Sequence, residues 1–325
     1  MAQPVAEQPL DAGALITATA ALIGGEATQT ARFGIAVSGG PDSLALLLLA
    51  HLAFPGRVAA ATVDHQLRGE SAAEAQQVAA LCAQIGVPHA TLTPRKPIAG
   101  SLQTSARAAR YALLEEWRTA GDIDWVLTAH HADDQLETLV MRLNRGSGVA
   151  GLSGIRTRLG HVLRPLLAIR RSALVALVQS KGWAAVDDPS NRDDRFDRSR
   201  VRKALAVGDL LDADAVAQSA AVIADANEAL DWVMKTMLAE RMTPTRGGFD
   251  INVADLPIEL RRRLIQHALR ALEPDRKAPR GSVLTRAIAA VEGGVSAMIG
   301  DTCLKPAKTN AEHWELRPAP PRGAR

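Results

Sequence analysis

Between residue 33 and about residue 145 the chain alternates two apolar patterns. Continuously apolar or β-branched runs fall at 33–37, 57–63, 89–93 and 125–128. Between them, apolar positions recur at helical spacing over 43–53, 71–85, 101–119 and 133–144. Short runs buried on both faces suit a parallel sheet, with the helical segments as crossovers. The rhythm predicts an α/β fold with a doubly wound, mostly parallel sheet. Gly86-Val87-Pro88 and Gly121-Asp122 supply helix stops between elements. Ligands of such sheets bind at the carboxyl ends of the strands. Three polar clusters fall at that end: Ser38-Gly39-Gly40-Pro41-Asp42-Ser43, Asp64-His65-Gln66, and Ala129-His130-His131.

After Gly146-Ser147-Gly148-Val149-Ala150-Gly151 the pattern changes. A loop-rich, arginine-bearing stretch leads to a short helix near 172–181 and then to a charged stretch ending at Lys203. From about 209 the chain reads as almost wholly helical, over 213–240, 257–272 and 281–291. The expected organisation is an N-terminal extension over 1–30 with a helix near 10–23, a catalytic domain over 31–208, and a helical domain over 209–325. Arg317-Pro318-Ala319-Pro320-Pro321 is expected to fray. No internal repeat is present.

Composition narrows the class. At 325 residues, 47% apolar and 22% charged, the chain suits two or three folded domains and excludes disorder over most of its length. Cys82 and Cys303 are the only cysteines, which argues against a disulfide framework, a zinc site or an iron–sulfur cluster. No apolar stretch reaches the ~18 residues of a membrane span, and the N-terminus lacks the pattern of a secretion signal, so a cytoplasmic location is expected. The net charge is only +3, but seven lysines among 38 basic residues make arginine dominant. Arginine's planar fork suits phosphate, so its placement matters more than its total.

The stretch 38–43 carries the sharpest chemistry. A strand that ends in Ser38-Gly39-Gly40 lets the backbone turn tightly, and it leaves N–H groups facing a concavity with no Cβ in the way. The next helix then aims its positive end at the same spot. Pro41 suits the first helical position, and the Ser38 and Ser43 hydroxyls can donate to phosphate. Asp42 would repel phosphate unless a cation lay between them, so it implies Mg2+. No lysine follows the glycines, so this is not a Walker loop. A plain strand-to-helix turn is the alternative. The stretch resembles the pyrophosphate loop of the N-type ATP pyrophosphatases, which cleave ATP between its α and β phosphates.

The second cluster, Thr128 to Thr138, holds His130, His131, Asp133, Asp134 and Glu137. On a helix that begins at Asp133, Asp134 and Glu137 share a face and can jointly hold a cation. Acidic residues in a first turn also occur simply to suit the helix dipole. Zinc ligation by His130 and His131 is disfavoured, because neighbours on a strand point to opposite faces. Further blocks are Val63-Asp64-His65-x-Leu67-Arg68, Gly86-Val87-Pro88-His89, Ala106-Arg107-x-x-Arg110-Tyr111, Arg145-Gly146-Ser147-Gly148, Arg164-Pro165-Leu166-Leu167 and Asp188-Pro189-Ser190-Asn191. Together they resemble the tRNA(Ile)-lysidine synthetase family over roughly 33–203.

The resemblance implies an adenine nucleotide alpha hydrolase-like domain. It implies that ATP adenylates C2–O of the wobble cytidine in the CAU anticodon of isoleucine tRNA, after which L-lysine displaces AMP to leave lysidine. Ser38, Gly39, Gly40, Pro41, Asp42 and Ser43 would hold the ATP phosphates, with Mg2+ on Asp42. Asp42, Arg110, Asp134 and Glu137 would form the catalytic set, the last three around the lysine and the adenylated base. His130, His131, Asp133, Asn191 and Arg202 would face the RNA or the nucleotide. The oligomeric state is left open, with a homodimer among the options, and no membrane is involved.

On the RNA side, residues 191–203 pack six basic and three acidic residues into thirteen positions, a pattern that a solvated helix face would also show. The family usually has Arg-Asn where this chain has Arg198-Ser199. Arg261, Arg262, Arg263 and Arg270 are expected to reach one face and contact tRNA phosphates. Longer family members add a further C-terminal domain, which this chain is expected to be too short to contain. Three rival readings are a tRNA 2-thiolation enzyme, which would need paired cysteines, a non-catalytic tRNA-binding protein, which would have lost Asp42, Asp134 and Glu137, and a general nucleotide sensor, which would have no use for free lysine.

Overall fold

Each short apolar run becomes a strand because it can be buried on both faces. The computed structural model describes residues 10–66, 69–95, 102–186, 197–206, 210–274, 276–308 and 310–319. The chain divides into two compact units, one running up to Met141 and resuming over Gly154–Ala221, the other comprising Arg142–Ser153 and Val222 onward.

The first unit opens with α1 (Ala12–Ile23) and α2 (Gly25–Thr30). The alternation that follows is β1 (Phe33–Ala36), α3 (Pro41–Ala53), β2 (Val58–Val63), α4 (Ser71–Gln84), β3 (His89–Leu92), α5 (Leu102–Ala120), β4 (Trp125–Leu127) and α6 (Ala132–Leu143). After the one-turn α7 (Val149–Leu152), which belongs to the second unit, the first unit resumes with β5 (Arg158–Leu159), β6 (Val162–Leu163), α8 (Arg171–Ser180) and α9 (Asp197–Ala206). The four strands and four helices expected before residue 145 are all present, with ends shifted by no more than two residues. The sheet order is β3-β2-β1-β4-β6-β5, parallel throughout except for the edge pair β5–β6.

That order places a reversal between β1 and β4. The chain winds outward from β1 through β2 to β3, then crosses back to β4 on the other side of β1. A crevice opens where neighbouring connections leave in opposite directions, and here it lies between the ends of β1 and β4. Helix α3 can be apolar all round, with Leu44 to Ala50 all buried, because the sheet covers one side while α1 and α8 cover others. Phe33 stacks on Phe54 with ring centroids 4.2 Å apart and closes that core. Gly34 lets α5 approach β1 closely, since a Cβ there would lie 2.5 Å from the Trp117 ring.

The second unit corrects the expectation of an almost wholly helical region. The three helices are present as α10 (Ala213–Arg241), α11 (Ile258–Leu272) and α12 (Gly281–Glu292). Beside them, β7 (Met242–Thr245), β8 (Gly248–Asn252), β9 (Ala297–Ile299), β10 (Thr302–Pro306) and β11 (His313–Pro318) form an antiparallel sheet of order β7-β8-β11-β10-β9. These strands are short and carry Pro244, Pro306 and Pro318, so they read as loop. Their signal is the inward alternation of Trp314 and Leu316, which pack with Leu264, Ile265 and Leu304. The expected fraying is likewise corrected as far as Pro318, which pairs with Thr302.

The arginine triplet on α11 also behaves differently from expectation. Consecutive helical positions diverge by about 100°, and Arg263 turns inward to Asp231 (2.6 Å), Asn227 (2.9 Å) and Glu259 (3.1 Å). Arg261 is held by Glu292 and the Leu256 carbonyl, and Arg262 by Glu259 and Thr285. Among the described residues, no helix is long and apolar enough to cross a membrane.

Candidate active site

The loop after β1 is shaped by a left-handed residue and pinned by a serine. Gly39 has φ +84°, where side chains are rarely tolerated, and a Cβ there would come within 2.9 Å of the Val186 side chain. The Gly39 carbonyl accepts the Val186 N–H at 2.9 Å. Ser43 Oγ donates to the Gly40 carbonyl (2.9 Å), accepts the Ser38 N–H (3.1 Å), and lies 3.2 Å from Ser38 Oγ. Pro41 begins α3, and no side chain caps that helix, so its first-turn amides are left for an incoming anion.

Across the crevice, the start of α6 builds an acidic nest around one imidazole. His131 is only 2% exposed. Its Nε2 lies 3.6 Å from both Asp42 Oδ2 and Asp134 Oδ2, and its Nδ1 lies 3.6 Å from Asp133 Oδ2. Burial opposes a charge there, but the carboxylates overcome it and push the imidazole pKa up to about 9. Asp133 also accepts the Arg171 N–H (2.7 Å) and faces Arg170 (3.5 Å). Burial resists its ionisation, yet His131 and these partners hold it well below the usual carboxylate range. Asp42 is likewise lowered against burial by His131 and Arg171. Arg171 Nε approaches Asp42 Oδ1 to 3.4 Å, but that oxygen is buried without a hydrogen-bond partner.

Asp134 and Glu137 share one face of α6, as the spacing predicts. Arg198 bridges them, with Nη2 2.5 Å from Asp134 Oδ1 and Nε 2.5 Å from Glu137 Oε2. Arg202 Nε takes the other Glu137 oxygen at 2.6 Å. Glu137 is buried, and burial raises the Asp134 pKa despite the nearby cations.

His130 faces the opposite environment. Its Nδ1 lies 2.9 Å from Thr128 Oγ1. Burial, reinforced by Arg164, Arg107, Arg110 and Arg198, drives its pKa down to about 2, so the ring is neutral at physiological pH. Arg164 Nη2 and Arg107 Nη2 both donate to Tyr111 Oη, at 3.3 and 3.4 Å. Arg110 depresses His65 as well, after burial. Guanidinium groups gathered round a neutral ring form a pocket for an anion.

The predicted residues therefore divide into two groups. Asp42, His131, Asp133, Asp134, Glu137 and Arg202 converge on the acidic side. Arg110 and His130 lie on the cationic side, Ser38 to Gly40 lie in the turn between β1 and α3, and Pro41 to Ser43 form the first turn of that helix. Asn191, with the rest of Asp188-Pro189-Ser190-Asn191 and with Leu67-Arg68, lies outside the described residues. Sequence reasoning assigned no role to Arg198, Arg170, Arg171 or Val186. The only available signal was positional: basic residues at the starts of α8 and α9, far along the chain from the acids they meet.

A PP-loop domain model matches residues 15–207. The tRNA(Ile)-lysidine synthase of Zymomonas mobilis is 40% identical over 301 residues, covering 90% of this chain and 89% of that protein. That of Novosphingobium aromaticivorans is 44% identical over 279 residues, covering 83% and 84%. In fold alone, the chain is similar to the U34-tRNA thiolase NcsA of Methanococcus maripaludis (TM-score 0.54, 14% identity, 65% of this chain and 78% of that one). With its loop, its strand order and this likeness over nearly its whole length, the chain belongs to the tRNA(Ile)-lysidine synthase family.

Proposed function

We propose that the protein ligates L-lysine to C2 of the wobble cytidine in the CAU anticodon of isoleucine tRNA, at the expense of ATP. The observation that carries this reading is the pairing, across one crevice, of an anion-ready loop and cationic pocket with a carboxylate pair of which Glu137 is buried and Asp134 largely so. Phosphate and amine can then be held close together without sharing contacts. In the first step the cytidine O2 attacks the α-phosphorus and pyrophosphate leaves. The amides of Gly39 and Gly40, the Ser38 and Ser43 hydroxyls and the arginines around His130 would hold the phosphates.

In the second step the lysine ε-amine attacks C2, the C2–O bond breaks, and AMP departs with that oxygen. Asp134 and Glu137 would hold the amine, and Asp134, whose pKa burial raises, is the better acceptor for the proton it sheds. Holding two reactants in register would supply much of the acceleration.

The residues also fit Mg2+. Asp42 Oδ1 is a buried oxygen without a hydrogen-bond partner, and among the described residues no group of three or more His, Cys, Asp or Glu side chains is placed to hold a metal ion by itself. An ion would therefore rest on Asp42 and nucleotide oxygens, where it would neutralise phosphate charge. Sulfur transfer is disfavoured, because Cys82 is buried in the first unit's core and burial pushes its thiol up to about 11. The test is incubation with isoleucine CAU tRNA, ATP·Mg and labelled lysine. Label should enter the RNA as AMP is released, and pyrophosphate release without label would reject the reading.

A further inference from the structure

A buried acid pair draws a cation, and here the chain already supplies one. Both Glu137 oxygens are engaged by guanidinium groups, Asp134 Oδ1 by Arg198, and Asp134 Oδ2 by the His131 N–H at 3.1 Å. The two carboxylates face two arginine charges, so little net attraction remains for a third cation. An arriving ammonium would gain contacts only by displacing a guanidinium.

We propose that Arg198 is a resident stand-in for the lysine ammonium, which lysine must displace to bind. This rests on the lysine reading above. One feature singles out Arg198 over Arg202: it alone bridges both carboxylates, as a held ammonium would, whereas Arg202 touches Glu137 only. Its side chain, in the first turn of α9 and 41% exposed, has an open direction in which to leave, as does that of Arg202 at 36%. Arg198 already acts on His130 through space, so a phosphate bound near that ring would offer the displaced guanidinium an anion to face. The contact would thus keep the acid pair neutral until lysine is at hand, and would set how strongly lysine is held.

The test compares lysine KM in the complete reaction, and lysine affinity by equilibrium dialysis, for the native protein, R198A and R198K. R198A should lower lysine KM about tenfold, because the competing conformer is removed. R198K restores a tethered cation and should return KM towards the native value. If Arg198 merely braced α9, its removal would raise KM instead. An R198A protein that still releases pyrophosphate but shows unchanged or raised lysine KM overturns the proposal. If R198A does not fold, R198Q, long and polar but uncharged, is read the same way. A native protein that releases pyrophosphate yet incorporates no lysine rejects the lysine reading, and the stand-in falls with it.

Discussion

His130 and His131 are neighbours in the chain, yet one ring lies among guanidinium groups and the other among carboxylates. Their pKa values are driven apart, to about 2 and about 9. Both residues lie in the short connection between β4 and α6, so two adjacent positions suffice to separate a cationic chamber from an acidic one. The difference shows how a single crevice can keep a cluster of guanidinium groups and a cluster of carboxylates apart over two adjacent residues.

The most severe way to break the contrast is Asp42→Ala, which removes the carboxylate shared by the phosphate loop and the acidic side. Pyrophosphate release should fall by roughly a hundred- to a thousandfold, as a coupled phosphate assay would show. Glu137→Ala should act more selectively: lysine transfer falls by roughly a hundredfold, while adenylation, measured without lysine, falls much less. Equal loss of both half-reactions would refute the division of roles between the two sides.

The histidines themselves give the subtler tests. The folded pKa of His131 lies above its ordinary 6.5, so its stabilising contribution is complete below that value and is lost as pH rises through about 9. This contribution is on the order of 3 kcal/mol, so urea midpoints of the native protein should fall over pH 7–9 and those of His131→Gln should stay flatter. His130 has the opposite sign. Its folded pKa is depressed, so stability is complete above 6.5 and drains away as pH falls towards about 2. His130→Gln should lower the acid-unfolding midpoint by roughly half a pH unit and leave the alkaline limb alone.

How much was legible follows from sequence distance. β1 to β4 and α3 to α6 were readable because uninterrupted burial leaves continuous apolar runs, and the Asp134–Glu137 pair because helical spacing fixes it. The clamp from Arg198 and Arg202 was not, since 61 to 65 positions separate its partners. Nor was the inward turn of Arg263, because an arginine triplet looks the same whether its middle and ends meet water or acids. The second sheet escaped because its strands are short and punctuated by prolines and glycines, so only Trp314 and Leu316 marked a buried face.

The tight seat of Trp117 over Gly34 reaches further than packing. Helix α5 carries Arg107, Arg110 and Tyr111, and its approach to β1 is permitted by a gap no larger than one hydrogen at Gly34. A single added methyl would lift that helix and shift its guanidinium groups relative to the loop at the end of β1. Catalytic output could therefore be tuned, or lost, from a residue that touches no reactant.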